Sequence, residues 1–251
     1  CFGQKNMDKL RNCIFVAFLI IGTATVVLNI LAFLFIDPIL IFLKTPSEIY
    51  DMMRSYVFII FTGLCATFFY NFFASLLRSI GNSFIPLVFL AVSAVLNIVL
   101  DLLFVVKFNW SVEGAAIATV ISQYVSGIGI TFYTLVYFPE LRVRKSNMYI
   151  RKNVISELSQ FSFLTCLQQS VMNFGILMVQ GLVNSFGTAI MAAFAAGVKI
   201  DSFAYMPVQD FGNAFSTFIA QNFGAKKTER IQKGIKSAVI TSAVFCIFIS
   251  F

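Results

Sequence analysis

The sequence predicts an all-α protein that crosses a membrane several times, and three observations carry this prediction. Hydrophobic residues make up 59% of the 251 residues, and charged residues only 12%, against about 25% in soluble domains. Several apolar runs are long enough to cross a bilayer as a helix, which takes about 20 residues. Residues 2–14 also recur, with changes, at residues 223–235, so the chain contains an internal repeat.

Six complete spans and the start of a seventh follow from the apolar runs, which are separated by prolines, charges and short polar turns. A short charged element at 4–12 precedes the first span, and Asp8 can pair there with Arg11 one helical turn away. Between the first two spans we predict a short amphipathic helix at 48–54, with Ser47 as its N-cap. The predicted spans are residues 13–36, 55–77, 84–106, 114–138, 158–185 and 188–220, followed by 237–251.

The fourth predicted span carries a small residue at every fourth position. These residues are Gly114, Ala118, Ser122 and Ser126. Residues four apart lie on one face of a helix, and small side chains let helices approach each other closely in lipid. We therefore predict that this face of the span packs tightly against its neighbours.

A basic connector separates the two halves of the chain. Residues 139–157 carry five basic side chains, and we predict that they form an amphipathic helix at the cytoplasmic membrane surface. Residues 1–138 then belong to an N-terminal lobe, and residues 158–251 begin a C-terminal lobe.

The distribution of Lys and Arg predicts the orientation in the membrane. If residues 2–12 face the cytoplasm, fourteen of the 18 basic residues lie on that side, and only Lys44, Arg54 and Lys107 lie outside. This is the positive-inside pattern of a multi-pass protein, which we place in the cell membrane. Contact of the basic loops with anionic lipid accounts for the net charge of +7 without nucleic acid. The fourteen are Lys5, Lys9, Arg11, Arg78, Arg142, Arg144, Lys145, Arg151, Lys152, Lys226, Lys227, Arg230, Lys233 and Lys236.

The internal repeat has a unit of about 221 residues. Residues 2–14 align with residues 223–235 without a gap, with Phe, Gly, Lys and Ile identical at four positions. Both copies precede a long apolar segment. A unit of this length is far longer than a solenoid repeat and suits a transporter that is built from two similar half-bundles.

The sixth predicted span carries a stripe of polar residues at four-residue spacing, which a helix places along one slowly drifting line. Pro207 interrupts the same span, and we predict that the stripe forms the wall of a cavity. Ionisable groups at membrane depth face a bundle interior or a water-filled path. Asp201 is therefore our first candidate for binding the coupling ion. The stripe consists of Asp201, Tyr205, Gln209, Asn213, Thr217 and Gln221.

Other intramembrane polar residues have two interpretations each. Lys199 either takes part in transport, or pairs with another helix or extends to the surface. Asp210 has a transport role or a role at the helix end. For Asp101 we favour a structural bond to the following loop. Gln169 and Asn173 either contact a ligand or form hydrogen bonds between helices.

Four stretches of the sequence resemble the multidrug and toxic compound extrusion (MATE) family of transporters. Residues 78–86 are similar to the turn between the fourth and fifth helices of that family. Residues 96–101 and 112–119 are similar to its fifth and sixth helices, and residues 206–214 with 221–225 to its eighth helix and the next turn. By this resemblance the chain runs from just before helix three into helix nine of a twelve-helix protein with two six-helix lobes.

The resemblance implies alternating access and the export of small organic cations by antiport with protons or sodium ions. It implies no cofactor beyond the coupling ion, and partners limited to substrate and membrane lipid, with no obligate protein partner. A flippase for lipid-linked saccharides, from the same superfamily, is the alternative. Nothing supports a membrane enzyme, because the chain has no histidine, no metal-ligand spacing, no GxSxG motif and no P-loop.

Overall fold

The computed structural model describes residues 2–42, 49–150, 152–184, 186 and 188–250, and nearly all of them are helical. Contacts divide the chain into two compact units, Asp8–Tyr149 and Cys1–Met7 with Ile150–Phe251. The α-helices are α1 (Met7–Leu34), α2 (Ile36–Phe42), α3 (Tyr50–Thr62), α4 (Leu64–Ser79), α5 (Phe84–Asp101), α6 (Ser111–Tyr137), α7 (Lys152–Asn184), α8 (Thr188–Gly224) and α9 (Thr228–Ser250).

The structure confirms an all-helical protein with several membrane-length helices. Among the described residues, five stretches are long and apolar enough to cross a membrane, and they contain the second and third predicted spans and most of the first, fourth and seventh. The predicted fifth and sixth spans correspond to α7 and α8, which have 33 and 37 residues. At 1.5 Å per residue, either helix is long enough to cross a bilayer. The five stretches are Met7–Leu34, Tyr50–Ser79, Phe84–Lys107, Ser111–Tyr137 and Thr228–Phe248.

The separate amphipathic helix that we predicted at 48–54 is wrong. The described part of that segment belongs to α3, which begins at Tyr50 and continues into the second span because no helix-breaking residue intervenes. Pro38 does not end the helical structure either. It lies in the first turn of α2, where a proline costs no backbone hydrogen bond. The predicted N-cap Ser47, and Lys44 and Arg151 from the charge argument, lie outside the described residues.

The predicted helix in the connector is also wrong. Residues 139–149 form two single turns of 3₁₀ helix, Pro139–Leu141 and Lys145–Asn147, and helix begins again only in α7. Side chains of α1 bind the connector carbonyls: Arg11 Nε donates to Glu140 O at 2.9 Å, and Asn12 Nδ2 to Asn147 O at 2.9 Å. Because donors from α1 satisfy these carbonyls, the carbonyls need no partner from a continuous helix in the connector.

Helix α6 is the centre of the unit Asp8–Tyr149 and packs against α3, α4 and α5. The predicted small-residue face is confirmed, since Gly114, Ala118, Ser122 and Ser126 are all buried. Gly127 lies closest to a neighbouring backbone: a Cβ atom there would be 2.6 Å from the carbonyl oxygen of Ala66 in α4. Only a glycine fits this contact, because a backbone carbonyl cannot rotate out of the way.

We therefore expect Gly127→Ala to lower the stability of the helical unit. The added methyl group forces α4 and α6 apart, and overpacking of this kind costs about 1–3 kcal/mol. Thermal unfolding of the purified protein in detergent measures the loss. Gly212→Ala in α8 is the matched control, since a Cβ there meets nothing within 4 Å. Equal melting temperatures for the two variants would contradict the proposed close contact.

The second span is broken at Gly63, between α3 and α4. Two side chains from other helices bind the carbonyls at the break: Asn29 Nδ2 donates to Phe61 O at 2.7 Å, and Tyr124 Oη donates to Thr62 O at 3.0 Å. A Cβ on Gly63 would lie 2.4 Å from Oε1 of Gln123. The glycine and these donors together make the break compatible with a low-dielectric environment, where unpaired carbonyls are costly.

The two copies of the repeat adopt the same turn. Lys5 and Lys226 occupy equivalent positions, and their φ angles of 55° and 56° both lie in the left-handed region. In each copy the lysine N–H donates to the phenylalanine carbonyl three residues earlier, at 2.9 Å and 3.0 Å. Helical ion pairs follow both turns, Asp8 with Arg11 at 3.9 Å and Glu229 with Lys233 at 2.7 Å. The sequence repeat is therefore a structural repeat.

An ion pair joins α2 to the start of α3. Arg54 Nε donates to Asp37 Oδ1 at 2.7 Å, and Tyr50 Oη donates to the same oxygen at 3.1 Å. The hydrogen bond from Arg54, against a smaller opposing effect of burial and with help from Tyr50, holds the pKa of the Asp37 carboxyl below its ordinary value. The pair is exposed, so its contribution to stability is small and is screened by salt.

A lowered carboxyl pKa gives this pair a defined pH dependence. The stabilisation is fully present above the unfolded pKa, about 3.9, and is lost as the pH falls through the folded pKa of Asp37. We expect Arg54→Gln to lower the melting temperature slightly at pH 7, and to have no effect once Asp37 is protonated in the folded protein. Thermal unfolding across this pH range tests it, with Lys107→Gln as the control for loss of one charge. If Arg54→Gln lowers the melting temperature equally at pH 7 and at a pH where Asp37 is protonated, the ion pair is contradicted.

Candidate functional site

The polar stripe lies on α8, which continues as one helix through Pro207. The predicted interruption at this proline is therefore not observed. Pro207 instead lines a small apolar cavity of about 170 Å³ with residues of α9, including Phe245. Asp201, the first residue of the stripe, is exposed in the described unit. The stripe is thus a continuous row along one helix, and Pro207 faces the cavity beside α9.

The ionisable residues of α8 lie on two different faces. With 3.6 residues per turn, Lys199 and Asp210 both point to roughly the opposite side of the helix from Asp201. They share a face with each other but lie eleven positions apart, about 16 Å along the axis. Within the described part of the chain, none of the three belongs to an ion pair. The carboxyl group of Asp201 is therefore not used by an ion pair within the described part of the chain.

Tyr205 connects the stripe with α7. Its hydroxyl donates to Met172 Sδ at 3.5 Å, so this part of the stripe faces α7. Met172 is the neighbour of Asn173, and Gln169 lies one turn earlier on the same helix. Both side chains are exposed and form no hydrogen bond with another described residue. The structure thus brings Tyr205 to the helix that carries Gln169 and Asn173, but leaves both amides unpaired among the described residues.

The lower part of the stripe is held by local contacts within α8. Thr217 Oγ1 donates to the backbone carbonyl oxygen of Asn213 at 3.1 Å, and the side chain of Asn213 is exposed. Gln209 is exposed as well. Asn213 and Gln209 therefore remain candidates on the exposed surface of the helix, and the structure joins neither of them to Asp201.

A second polar row runs along α5, where it faces α6. Ser93 Oγ donates to Ser122 O at 2.9 Å, and Asn97 Nδ2 donates to Thr119 Oγ1 at 3.3 Å. Asp101 is the next residue in this row, one turn after Asn97. Its Oδ1 atom is buried and has no hydrogen-bond partner among the described residues. The expected hydrogen bond from Asp101 to the following loop is therefore not observed among the described residues.

The backbone changes directly after Asp101. Residues Leu102–Lys107 form a turn of π-helix instead of continuing α5, and such turns are frequent at functional sites. An unpaired buried carboxylate oxygen is costly unless something binds it. Asp101 is therefore a candidate that the sequence reasoning assigned to a structural role. The four-residue spacing of Ser93, Asn97 and Asp101 is the signal that could have identified it.

The two rows carry side chains that are able to bind a cation or a polar ligand. Each carboxylate, Asp101 on α5 and Asp201 on α8, can accept a proton, bind a metal cation through oxygen, or pair with an organic cation. The neighbouring amides and hydroxyls can complete a hydrogen-bonded site. No group of three metal-ligating side chains occurs among the residues that the structure describes.

Comparisons with known proteins show the family to which the chain belongs. A model of the MatE family matches residues 1–103 and 162–251. The chain is 30% identical over 190 residues to the probable multidrug resistance protein YpnP of Bacillus subtilis, covering 75% of this chain and 42% of that protein. It is 27% identical over 252 residues to the probable multidrug resistance protein YoeA of the same organism, covering 95% of this chain and 53% of that protein.

The chain also resembles a solved structure, the Vibrio cholerae MATE transporter VcmN in the bent form. The TM-score is 0.82 at 23% identity, covering 98% of this chain and 59% of that chain. Identity at this level shows the fold alone. The chain spans about half the length of the curated relatives it matches.

Proposed function

Because the chain belongs to the MATE family of transporters, we propose that it is part of a secondary transporter that exports cationic or amphipathic small molecules. In this proposal transport occurs by alternating access and is driven by inward flow of protons or sodium ions. The protein lies in the cell membrane, with its basic loops on the cytoplasmic side. The names of the multidrug resistance relatives support the substrate class.

The observation that carries the proposal is a pair of carboxylates on membrane-length helices that have no ionic partner in the described part of the chain. Asp101 has a buried oxygen without a hydrogen bond, and Asp201 begins the polar stripe of α8. An intramembrane acid is functional by default, because the bilayer makes an idle charge costly. Asp101 is favoured for the coupling ion because its buried Oδ1 atom has no described partner, and because Asn97, one turn earlier in the same row, supplies a further polar group that donates to Thr119 of α6.

Asp201 and its stripe then contribute to the substrate path. Tyr205 lies between α8 and α7 and can contact an organic cation through its aromatic ring. Gln209 and Asn213 continue the row on α8, and Gln169 and Asn173 add amides on α7. The tyrosine and the four amide side chains are neutral, so they can orient a ligand by hydrogen bonds without repelling a cation.

A flippase for lipid-linked saccharides is the alternative function. Such a substrate carries phosphate, so its path needs cationic side chains at membrane depth. Lys199 is the one basic residue within α8. One lysine beside two acids, Asp201 and Asp210, does not give α8 the positive charge that a phosphate needs, and the flippase therefore ranks second.

The test uses the full-length protein in proteoliposomes, with a fluorescent organic cation inside and an imposed proton or sodium gradient. Movement of the cation that depends on one of the two gradients supports antiport and identifies the coupling ion. A fluorescent lipid-linked saccharide is added in a parallel experiment. If only the lipid-linked probe moves in protein that is shown to be folded, the antiporter proposal fails and the flippase takes its place.

A further inference from the structure

A large cavity outside the polar rows lies between the connector and one end of α1, α4 and α6. Its volume is about 620 Å³, within the usual range for small-molecule sites. Its wall is mainly aromatic. Phe18 and Phe72 contact each other edge to face at 5.2 Å between ring centres. The phenylalanines that line the cavity are Phe15, Phe18, Phe72, Phe73 and Phe132.

One charged group lines this apolar cavity, the guanidinium of Arg142 in the connector. Its Nε donates to the carbonyl oxygen of Leu135, which also lines the cavity, so the guanidinium is held at the cavity wall. An arginine has five N–H donors, and the remaining ones of Arg142 donate to no other described residue. The cavity therefore combines an apolar interior with one cationic side chain, Arg142, which has N–H groups without a described acceptor.

The charges around this end of the unit are also mainly positive. Arg144 and Lys145 follow Arg142 in the connector, and Lys9 lies near the start of α1. Of the acids at this end, Asp8 already pairs with Arg11 at 3.9 Å. Glu140 precedes Arg142 in the connector and is exposed. The local charge thus favours an anion at the opening of the cavity.

From this arrangement we infer a binding site for an anionic phospholipid. One acyl chain lies among the phenylalanines, and the phosphate accepts hydrogen bonds from the guanidinium of Arg142. A guanidinium matches a phosphate by two parallel hydrogen bonds, and basic pockets between membrane helices bind anionic head groups. The bound lipid joins the connector to α1, α4 and α6. This site is independent of the transport mechanism proposed above.

The inference predicts selective retention of an anionic lipid. The full-length protein in detergent is titrated with phosphatidylglycerol or with phosphatidylcholine, and the bound lipid is counted by native mass spectrometry. We expect the wild type to retain phosphatidylglycerol preferentially. Arg142→Gln should lower that retention by about tenfold or more, as expected for loss of charge-assisted hydrogen bonds.

Lys145→Gln is the matched control, because it removes the same charge from the same connector but does not line the cavity. It should lower retention by no more than about fivefold, the effect of one basic residue near an anionic surface. Val136→Trp fills the cavity from α6 without changing charge, and it should reduce binding of both lipids. Equal losses in Arg142→Gln and Lys145→Gln, or unchanged binding in Val136→Trp, would overturn the site.

Discussion

Replacing Asp101 with asparagine is expected to abolish gradient-driven transport. The substitution keeps the shape of the side chain and its place one turn after Asn97, but it removes the negative charge. Because interactions of a charged group are worth about 1.5–3 kcal/mol or more, the loss should lower binding of the coupling ion by at least about tenfold. Release of the fluorescent cation from loaded proteoliposomes under a proton or sodium gradient measures the effect.

Asp201→Asn tests the other intramembrane acid under the same conditions. The sequence favoured this residue, and our proposal places it in the substrate path, so we expect transport to fall while the dependence on the gradient remains. Asp51→Asn is the control, since Asp51 is an exposed acid in the first turn of α3. Full transport by Asp101→Asn would move the coupling site to Asp201. Full transport by both variants would remove carboxylate coupling through this part of the chain.

Replacing Gly3 with alanine is expected to disrupt the packing of the two repeat turns. In the unit that contains both turns, a Cβ on Gly3 would lie 2.1 Å from the carbonyl oxygen of Gln221. This oxygen is a backbone atom just before the second turn, so no side-chain rotation can move it away. We expect a loss of about 1–3 kcal/mol in stability, measured by thermal unfolding in detergent.

Gly224→Ala is the matched control, because Gly224 is the repeat equivalent of Gly3. A Cβ on Gly224 would meet the nearest atoms of Gly3 and Gln4 at 3.5 Å, which is ordinary van der Waals contact. This variant should therefore keep the stability of the wild type. Two glycines at equivalent positions thus have unequal tolerance for the same methyl group. If both variants melt at the same temperature, the backbone contact at Gly3 is not as close as described.

Part of the candidate site was predictable from the sequence, and part was not. The four-residue spacing from Asp201 to Gln221 identified the stripe, because helical periodicity is written in the chain itself. The spacing of Asn97 and Asp101 carried the same signal, but the sequence could not show that Oδ1 of Asp101 is buried without a partner. Burial depends on how α5 and α6 pack, and α6 begins only after the loop that follows Asp101.

The sequence by itself determined the helices, the repeat and the small-residue face of α6, because composition and periodicity act over a few residues. Only the tertiary structure decided the form of the connector and the break at Gly63. In the connector, Asn12 donates to a carbonyl 135 positions away. At Gly63, Tyr124 donates to a carbonyl 62 positions away. In each case a donor that is distant in the sequence replaces a local helical hydrogen bond. A pattern among neighbouring residues therefore cannot predict that donor.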